Sequence, residues 1–357
     1  MTKRFLLIVG ALAVLLALPT LAGAAIAFTK LVKNQPANST IYVYTHDEGH
    51  PATTVALNVK GGQPTISPDG KIVAYYVNNN GGVLHFVTIA TNAVVATTNF
   101  CGPQPPVWAP DSSAVACTLP AIEGSPSIAS VTTTGVTTPL AKWLPGVGLG
   151  LGAPTWSPDS SMIAWVSGAG GKLRLRAMKA DGTGSLIKLG SFSQSQNLDN
   201  PLWGPKRIAY TLMSGSGTNS STNIWTIKPG TNNNSTATQL TRYKGMIGSG
   251  PSPLMWTPNG KIILGEIDME DQAPTPVSIN AATGKITKLG PSGNELTGGS
   301  PIAASSDSSS ALVLFASNVM MGIKPTGTVR TVSLSTGKST LFMNNVSYMS
   351  ASADWRP

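Results

Sequence analysis

The stretch that decides the fold is "PTWSPDSSMIAW", residues 154–165. A proline and a tryptophan lead into a Ser-Pro-Asp turn, and an apolar run follows it. Proline fixes φ and Asp tolerates the bend, so the centre reads as a tight turn between two strands. The pattern returns as "PTISPDGKIVAY" from Pro64, "PVWAPDSSAVAC" from Pro106 and "PLWGPKRIAY" from Pro201. It returns again as "PLMWTPNGKIIL" from Pro253 and, worn down, as "PIAASSDSSSALVL" from Pro301, with a last fragment "ADWRP" at the end. The position of Trp156 is held in turn by Ile66, Trp108, Trp156, Trp203, Trp256, Ala304 and Trp355. Its intervals are 42, 48, 47, 53, 48 and 51 residues, and five of the eight tryptophans share this register. A period of this size marks a repeat architecture.

Each repeat carries the parts of a four-stranded unit. After the turn, "KIVAYYV", "SMIAWVS" and "KIILGEI" are β-branched and aromatic runs that read as strands. A third strand and a hairpin follow in "LRLRAMKADGTGSLIKL", "TPVSINAATGKITKL" and "RTVSLSTGKSTLF", punctuated by Asp-Gly and Thr-Gly. Four strands in about 48 residues match a β-propeller blade. One blade cannot bury both faces, so blades stack in a ring, and each tryptophan is expected to face a neighbour. The expected fold is therefore an all-β propeller. Residues 41–59 read as third and fourth strands and "SADWRP" as a first strand, so the termini share one hybrid blade. Seven blades result; six, with a terminal segment packed elsewhere, is the alternative. Ile66, Trp108, Trp156, Trp203, Trp256, Trp355, Asp69, Asp111 and Asp159 are read as architecture.

These turns, "SPDGKIVAY", "APDSSAVAC", "SPDSSMIAW" and "TPNGKIILG", resemble the repeats of the TolB-like propeller family over nearly all of residues 40–357. Departures are Ile66 and Ala304 in place of the aromatic, and "GPKRIAY", where the Asp-Gly step is deleted. The resemblance implies a propeller that binds proteins in the periplasm. TolB itself carries a further N-terminal domain that is not matched here, so its particular partners do not carry over. Related propellers also gate serine peptidases of the prolyl oligopeptidase type.

Composition agrees with short strands and many turns. The 357-residue chain is 41% hydrophobic and 11% charged, well below the roughly 25% charged of ordinary domains. The net charge is +9, but Lys3, Arg4, Lys30 and Lys33 supply four of these within an acid-free N-terminal segment. The remaining cations are scattered, with no basic stripe, which argues against nucleic acid as a partner. Lys3 and Arg4 precede an uncharged run from Phe5 to Phe28. It reads as a signal peptide, cut after Ala24 or Ala27, or as a retained transmembrane helix with the body outside. No cysteine follows it, so a lipid anchor is not expected. The expected domains are a leader over 1–33, a linker over 34–39 and the propeller over 40–357, all of the last extracytoplasmic. Export permits a disulfide between Cys101 and Cys117, the only cysteines; two separate buried thiols are the alternative.

No G-x-S-x-G nucleophile elbow occurs. "HDEGH", residues 46–50, lacks the helical H-E-x-x-H spacing of a zinc peptidase and reads as a solvated turn. His85, in "VLHFVTI", reads as packed. The sharpest polar feature is "GEIDMEDQ", where Glu266, Asp268, Glu270 and Asp271 gather four of fifteen acids between the second and third strands of one blade. They are candidate ligands for a basic peptide or, weakly, for Ca²⁺. Asp199 and Asn200 join them as candidates on the same loop face, and Asp199 with Glu266 would be the acid pair of a glycan hydrolase or lyase. The stretches "MSGSGTNSSTN", "GMIGSGPSP" and "WLPGVGLGLGAP" read as a glycine-rich rim. The expected function is non-catalytic binding of a protein, peptide or cell-envelope ligand. An enzyme using carboxylates at the channel mouth is the alternative.

Overall fold

The computed structural model describes residues 24–29, 40–46, 53–60, 62–77, 83–98, 101, 105–119, 127–140, 153–169, 172–193, 198–214, 220–230, 236–244, 250–269, 272–290, 297–317, 326–347 and 351–355. They form seven four-stranded antiparallel sheets, the blades of a propeller. Blade 1 orders Ala351–Trp355 (β28), Ala24–Thr29 (β1), Thr40–His46 (β2) and Thr53–Lys60 (β3) from inside out. Blade 2 is Gly62–Ile66 (β4), Ile72–Val77 (β5), Val83–Thr88 (β6) and Ala93–Thr98 (β7). Blade 3 is Val107–Trp108 (β8), Ala114–Leu119 (β9), Ser127–Thr132 (β10) and Thr137–Pro139 (β11). Blade 4 is Thr155–Trp156 (β12), Met162–Ala169 (β13), Lys172–Lys179 (β14) and Ile187–Ser193 (β15). Blade 5 is Leu198–Trp203 (β16), Ile208–Ser214 (β17), Ser221–Ile227 (β18) and Thr238–Gln239 (β19). Blade 6 is Gly250–Trp256 (β20), Ile262–Met269 (β21), Gln272–Asn280 (β22) and Ile286–Lys288 (β23). Blade 7 is Thr297–Ala304 (β24), Ser310–Ser317 (β25), Thr326–Ser333 (β26) and Ser339–Ser347 (β27).

The core is divided among the blade interfaces. Ala74, Leu84 and Phe86 of blade 2 pack with Val115 and Val131 of blade 3, and similar clusters join every other neighbouring pair. The tryptophan register builds these joints. Trp108 Nε1 donates to Thr65 O at 3.1 Å, Trp156 Nε1 to Val107 O at 2.8 Å and Trp256 Nε1 to Leu202 O at 3.1 Å. Each indole thus caps a carbonyl on the inner strand of the preceding blade while burying its ring. Trp203 makes the same joint through its backbone, whose N–H donates to Thr155 Oγ1 at 3.0 Å. Ile66, 5% exposed, fills the aromatic position against blade 1. The side chain of Trp355 lies outside the described residues.

The Ser-Pro-Asp turn is a hydrogen-bonded unit. Ser157 Oγ donates to Asp159 Oδ1 at 2.5 Å and accepts from Met162 N at 2.9 Å, while Asp159 Oδ1 also accepts from Ser161 N. These donors, the Ser157 hydroxyl first, hold the Asp159 carboxyl below the usual range. Asp69 and Asp111 close their turns in the same way onto Lys71 N and Ser113 N.

A second joint emerges from the residue after the Asp. Ser112, Ser160 and Ser308 hold left-handed φ values of 65°, 59° and 61°. Their hydroxyls accept from the backbone N–H of Asp69, Asp111 and Asn259, each in the preceding blade's turn. Gly70 and Gly260 occupy the equivalent position in blades 2 and 6. Those two follow the hybrid blade and the shortened Gly204–Arg207 turn, where no matching Asp N–H exists; a Cβ at Gly260 would instead meet the Pro205 ring at 3.1 Å. Serine therefore stands where the neighbour supplies a donor, and its hydrogen bond offsets left-handed strain of about 1 kcal/mol. Ser308→Ala keeps the strain and loses the bond, so we expect destabilisation of about 1 kcal/mol, with Ser308→Gly close to wild type. Urea midpoints of the two variants test this, and an alanine variant as stable as the glycine one would refute it.

The termini meet as expected, with one addition. Blade 1 takes its second strand from β1, inside the stretch assigned to the leader. Its register runs Ala24↔Trp355 to Phe28↔Ala351 on one side and Ala24↔His46 to Thr29↔Ile41 on the other. Ile26 packs into the blade 7 cluster and Ala27 into the blade 2 cluster, both fully buried. Residues 1–23 and 30–39, including most of the expected leader helix and the linker, lie outside the described residues. Among the described residues no helix is long and apolar enough to cross a membrane. Cys101 and Cys117 form a disulfide buried in the blade 2–blade 3 core. Closing a loop of this length stabilises by about 3 kcal/mol, through lost freedom of the unfolded chain.

Candidate functional site

The two ends of the ring differ. Turns between first and second strands, and most hairpins between third and fourth, are short and hydrogen-bonded, as in Gly70 N to Ser67 O and Gly182 N to Lys179 O. The other connections all leave at the opposite end. They span up to fifteen residues, as between Pro139 of β11 and Thr155 of β12. Loops on a rigid scaffold are the usual carriers of binding residues.

The acids lie at this end. Glu266 and Asp268 are on β21 itself, in register with Ser252 and Gly250 of β20. The strand outlasts the expected loop because β22 pairs with it as far as Met269↔Gln272. Glu270 and Asp271, and the side chain of Asp268, lie outside the described residues. Glu266 Oε2 accepts a short hydrogen bond from Ser300 Oγ on the inner strand of blade 7. On the other side, Asn200 Nδ2 of blade 5 donates to Ser252 Oγ of blade 6 at 2.9 Å. Polar contacts therefore tie three successive blades together. Asp199 Oδ1 accepts from Asn200 N at 2.7 Å, so it buttresses the loop end of β16, whereas Glu266 turns to Ser300. The two carboxylates serve different blades.

Inner-strand bulges set this geometry. β16, β20 and β24 shift register at Asp199/Leu202, Pro253/Met255 and Pro301/Ala303. Proline donates no ladder bond, which admits the extra residue. At the first bulge Asn200 takes φ 48°, which carries its amide to blade 6. At the second, Leu254 is left exposed.

Asn223 is a site residue that sequence reasoning missed. Buried in β18, its Oδ1 accepts from Tyr243 N at 2.6 Å and Thr241 Oγ1 at 3.0 Å. It clamps the connection into blade 6 at residues 241–243. A buried asparagine in a strand was the available signal, but its partner is twenty residues away.

The histidines do not form a centre. His46 ends β2, and the rest of "HDEGH" lies outside the described residues. His85 stacks on Tyr75 with centroids 5.4 Å apart, and burial holds its imidazole below the ordinary value. Among the described residues no three His, Cys, Asp or Glu side chains gather as metal ligands. Of the glycine-rich stretches, Met213–Ser214, Ser221–Asn223 and 250–253 belong to strands β17, β18 and β20.

No protein-family model and no curated protein matches the chain. Solved structures do match. A prolyl endopeptidase is similar over 92% of this chain at 15% identity and TM-score 0.61, and the chain spans 50% of that protein. TolB from Acinetobacter baumannii matches 93% of this chain and 82% of its own at 16% identity and TM-score 0.51. An oligogalacturonate lyase in complex with manganese matches 90% of each chain at 15% identity and TM-score 0.55. At such identities the likeness is one of fold, and a TolB-like propeller fits it.

Proposed function

We propose that this chain is an exported, non-catalytic propeller that binds a protein, peptide or cell-envelope ligand over its loop end. The observation that carries the reading is the asymmetry of the ring. One end is closed by short turns, while the other gathers the long connections around blades tied by Asn200–Ser252 and Ser300–Glu266. Glu266 and Asp268, with Glu270 and Asp271 next in the chain, supply negative charge there for a basic partner. The buried disulfide supports an oxidising compartment, and the apolar run before Ala24 supplies the export signal or anchor. The likeness to TolB is in keeping with a binding role, whereas the likeness to a lyase keeps catalysis as the competing reading.

Cross-linking of the full chain in its own envelope, wild type against E266Q/D268N, separates the two. Binding predicts a captured partner whose yield falls about tenfold in the variant, with an unchanged circular dichroism spectrum. Turnover of peptides, glycans or esters by the wild type, abolished in the variant, would overturn it.

A further inference from the structure

The outer half of blade 4 carries a second polar constellation, remote in the chain from the acids. Along β14, Leu173, Leu175 and Ala177 are buried in the blade 4–blade 5 core. Alternation therefore turns Arg174 and Arg176 the other way, toward blade 3. Their neighbours confirm the direction. Trp165, opposite Arg176 on β13, and Met178, two residues on, both pack in the blade 3–blade 4 cluster, and Ser130 Oγ of blade 3 donates to Ala180 O. Ser167 stands opposite Arg174 on one side and Ser191 on the other, while Lys188 stands opposite Arg176. Residues in register share a sheet face, so two arginines, a lysine and two serines lie on the side of blade 4 that faces blade 3.

Nothing described neutralises this charge. Among the described residues the one ion pair is Lys71–Asp69, in blade 2. Arg176 Nε and Ser167 Oγ are both buried and have no hydrogen-bond partner in the protein. A buried donor without an acceptor costs about 1–3 kcal/mol, more when charged, so such a pair is not retained for stability. Burial and the adjacent Arg174 also depress the Arg176 guanidinium's affinity for its proton, the direction an anion would reverse.

We propose that this blade 3-facing side of blade 4 is an oxyanion site, in which Arg174 and Arg176 grip a carboxylate or phosphate group and Ser167 donates to it. The guanidinium fork matches the two-oxygen edge of either anion. Lys188, exposed at the outer strand, draws the anion in. This site stands apart from the acid-bearing strands of blades 5 and 6 and does not depend on the function assigned to them.

The test is thermal and calorimetric titration of the full-length protein with inorganic phosphate and, separately, citrate, each against chloride of equal ionic strength. We expect saturable binding with a rise in Tm beyond that of chloride. A response to phosphate alone assigns a phosphate ligand, and a response to citrate alone assigns a carboxylate. R174Q and R176Q should each weaken binding at least tenfold, while Lys206→Gln, exposed on the short-turn end, leaves it unchanged. Arg176→Met keeps the packed stem and removes the orphaned charge. It should melt no lower than wild type in anion-free buffer, yet no longer respond to either anion. Should R176Q fail to fold, the half-exposed Arg174 carries the comparison. A wild type that responds no more than to chloride, or variants that retain the full response, would overturn the site.

Discussion

A chain that begins at Phe28 will not close the ring, whereas one that begins at Ala25 will. Removing residues up to Ala27 deletes four of the six residues of β1, leaving β28 and β2 with unpaired edges on either side of the gap. It also deletes Ile26 and Ala27, which reach into the clusters shared with blades 7 and 2. The loss of one strand's ladder and of two interface contacts approaches the whole stability of a typical domain, about 5–15 kcal/mol. Of the two cut sites legible in the leader, only the one after Ala24 leaves the strand almost whole. The expected result is an exported form whose first residue is Ala25 or earlier, read by N-terminal mass spectrometry. In vitro, the Phe28 form should be expanded on gel filtration and rapidly proteolysed. A Phe28 form that melts like the full chain would remove β1 from the account.

Trp156→Ala should be the most damaging single substitution on the repeat register. The ring is 5% exposed in the blade 3–blade 4 cluster, and its Nε1 holds Val107 O. Truncating a buried tryptophan costs about 3–5 kcal/mol, and the carbonyl left without its donor adds about 1 kcal/mol. In a chain of this size, that lowers Tm by roughly 5–8 °C. Trp156→Phe isolates the indole N–H, since most of the apolar area stays, and should cost about 1–2 kcal/mol. Denaturation midpoints of the two variants make the comparison. Equal losses would show that the hydrogen bond, not ring burial, dominates the joint.

Much of this fold was legible before any coordinates. Trp108, Trp156, Trp203 and Trp256 stand at one register because each performs the same inter-blade task, and the turns between strands read directly from Ser-Pro-Asp chemistry. The candidate site was less legible. Glu266 and Asp268 looked like loop residues because "GEIDMEDQ" is polar, yet β22 extends the pairing beneath them. Ser112, Ser160 and Ser308 look like tolerated variants of glycine until the preceding blade's N–H is seen above each hydroxyl. The alternation of "KLRLRAMK" shows that Arg174 and Arg176 share a side, but not that blade 3 lies across from them.

Sequence alone determined the repeat and the strand order within each blade, because both follow from turn chemistry and period-two patterning over a few residues, while the structure decided seven blades over six. Tertiary structure alone decided that an alanine-rich stretch of the leader completes the hybrid blade, and which hydroxyls, amides and guanidiniums face one another across the blades. Those contacts join residues some 50 to 330 positions apart. No local pattern encodes such distances, and only the closing of the ring brings the partners together.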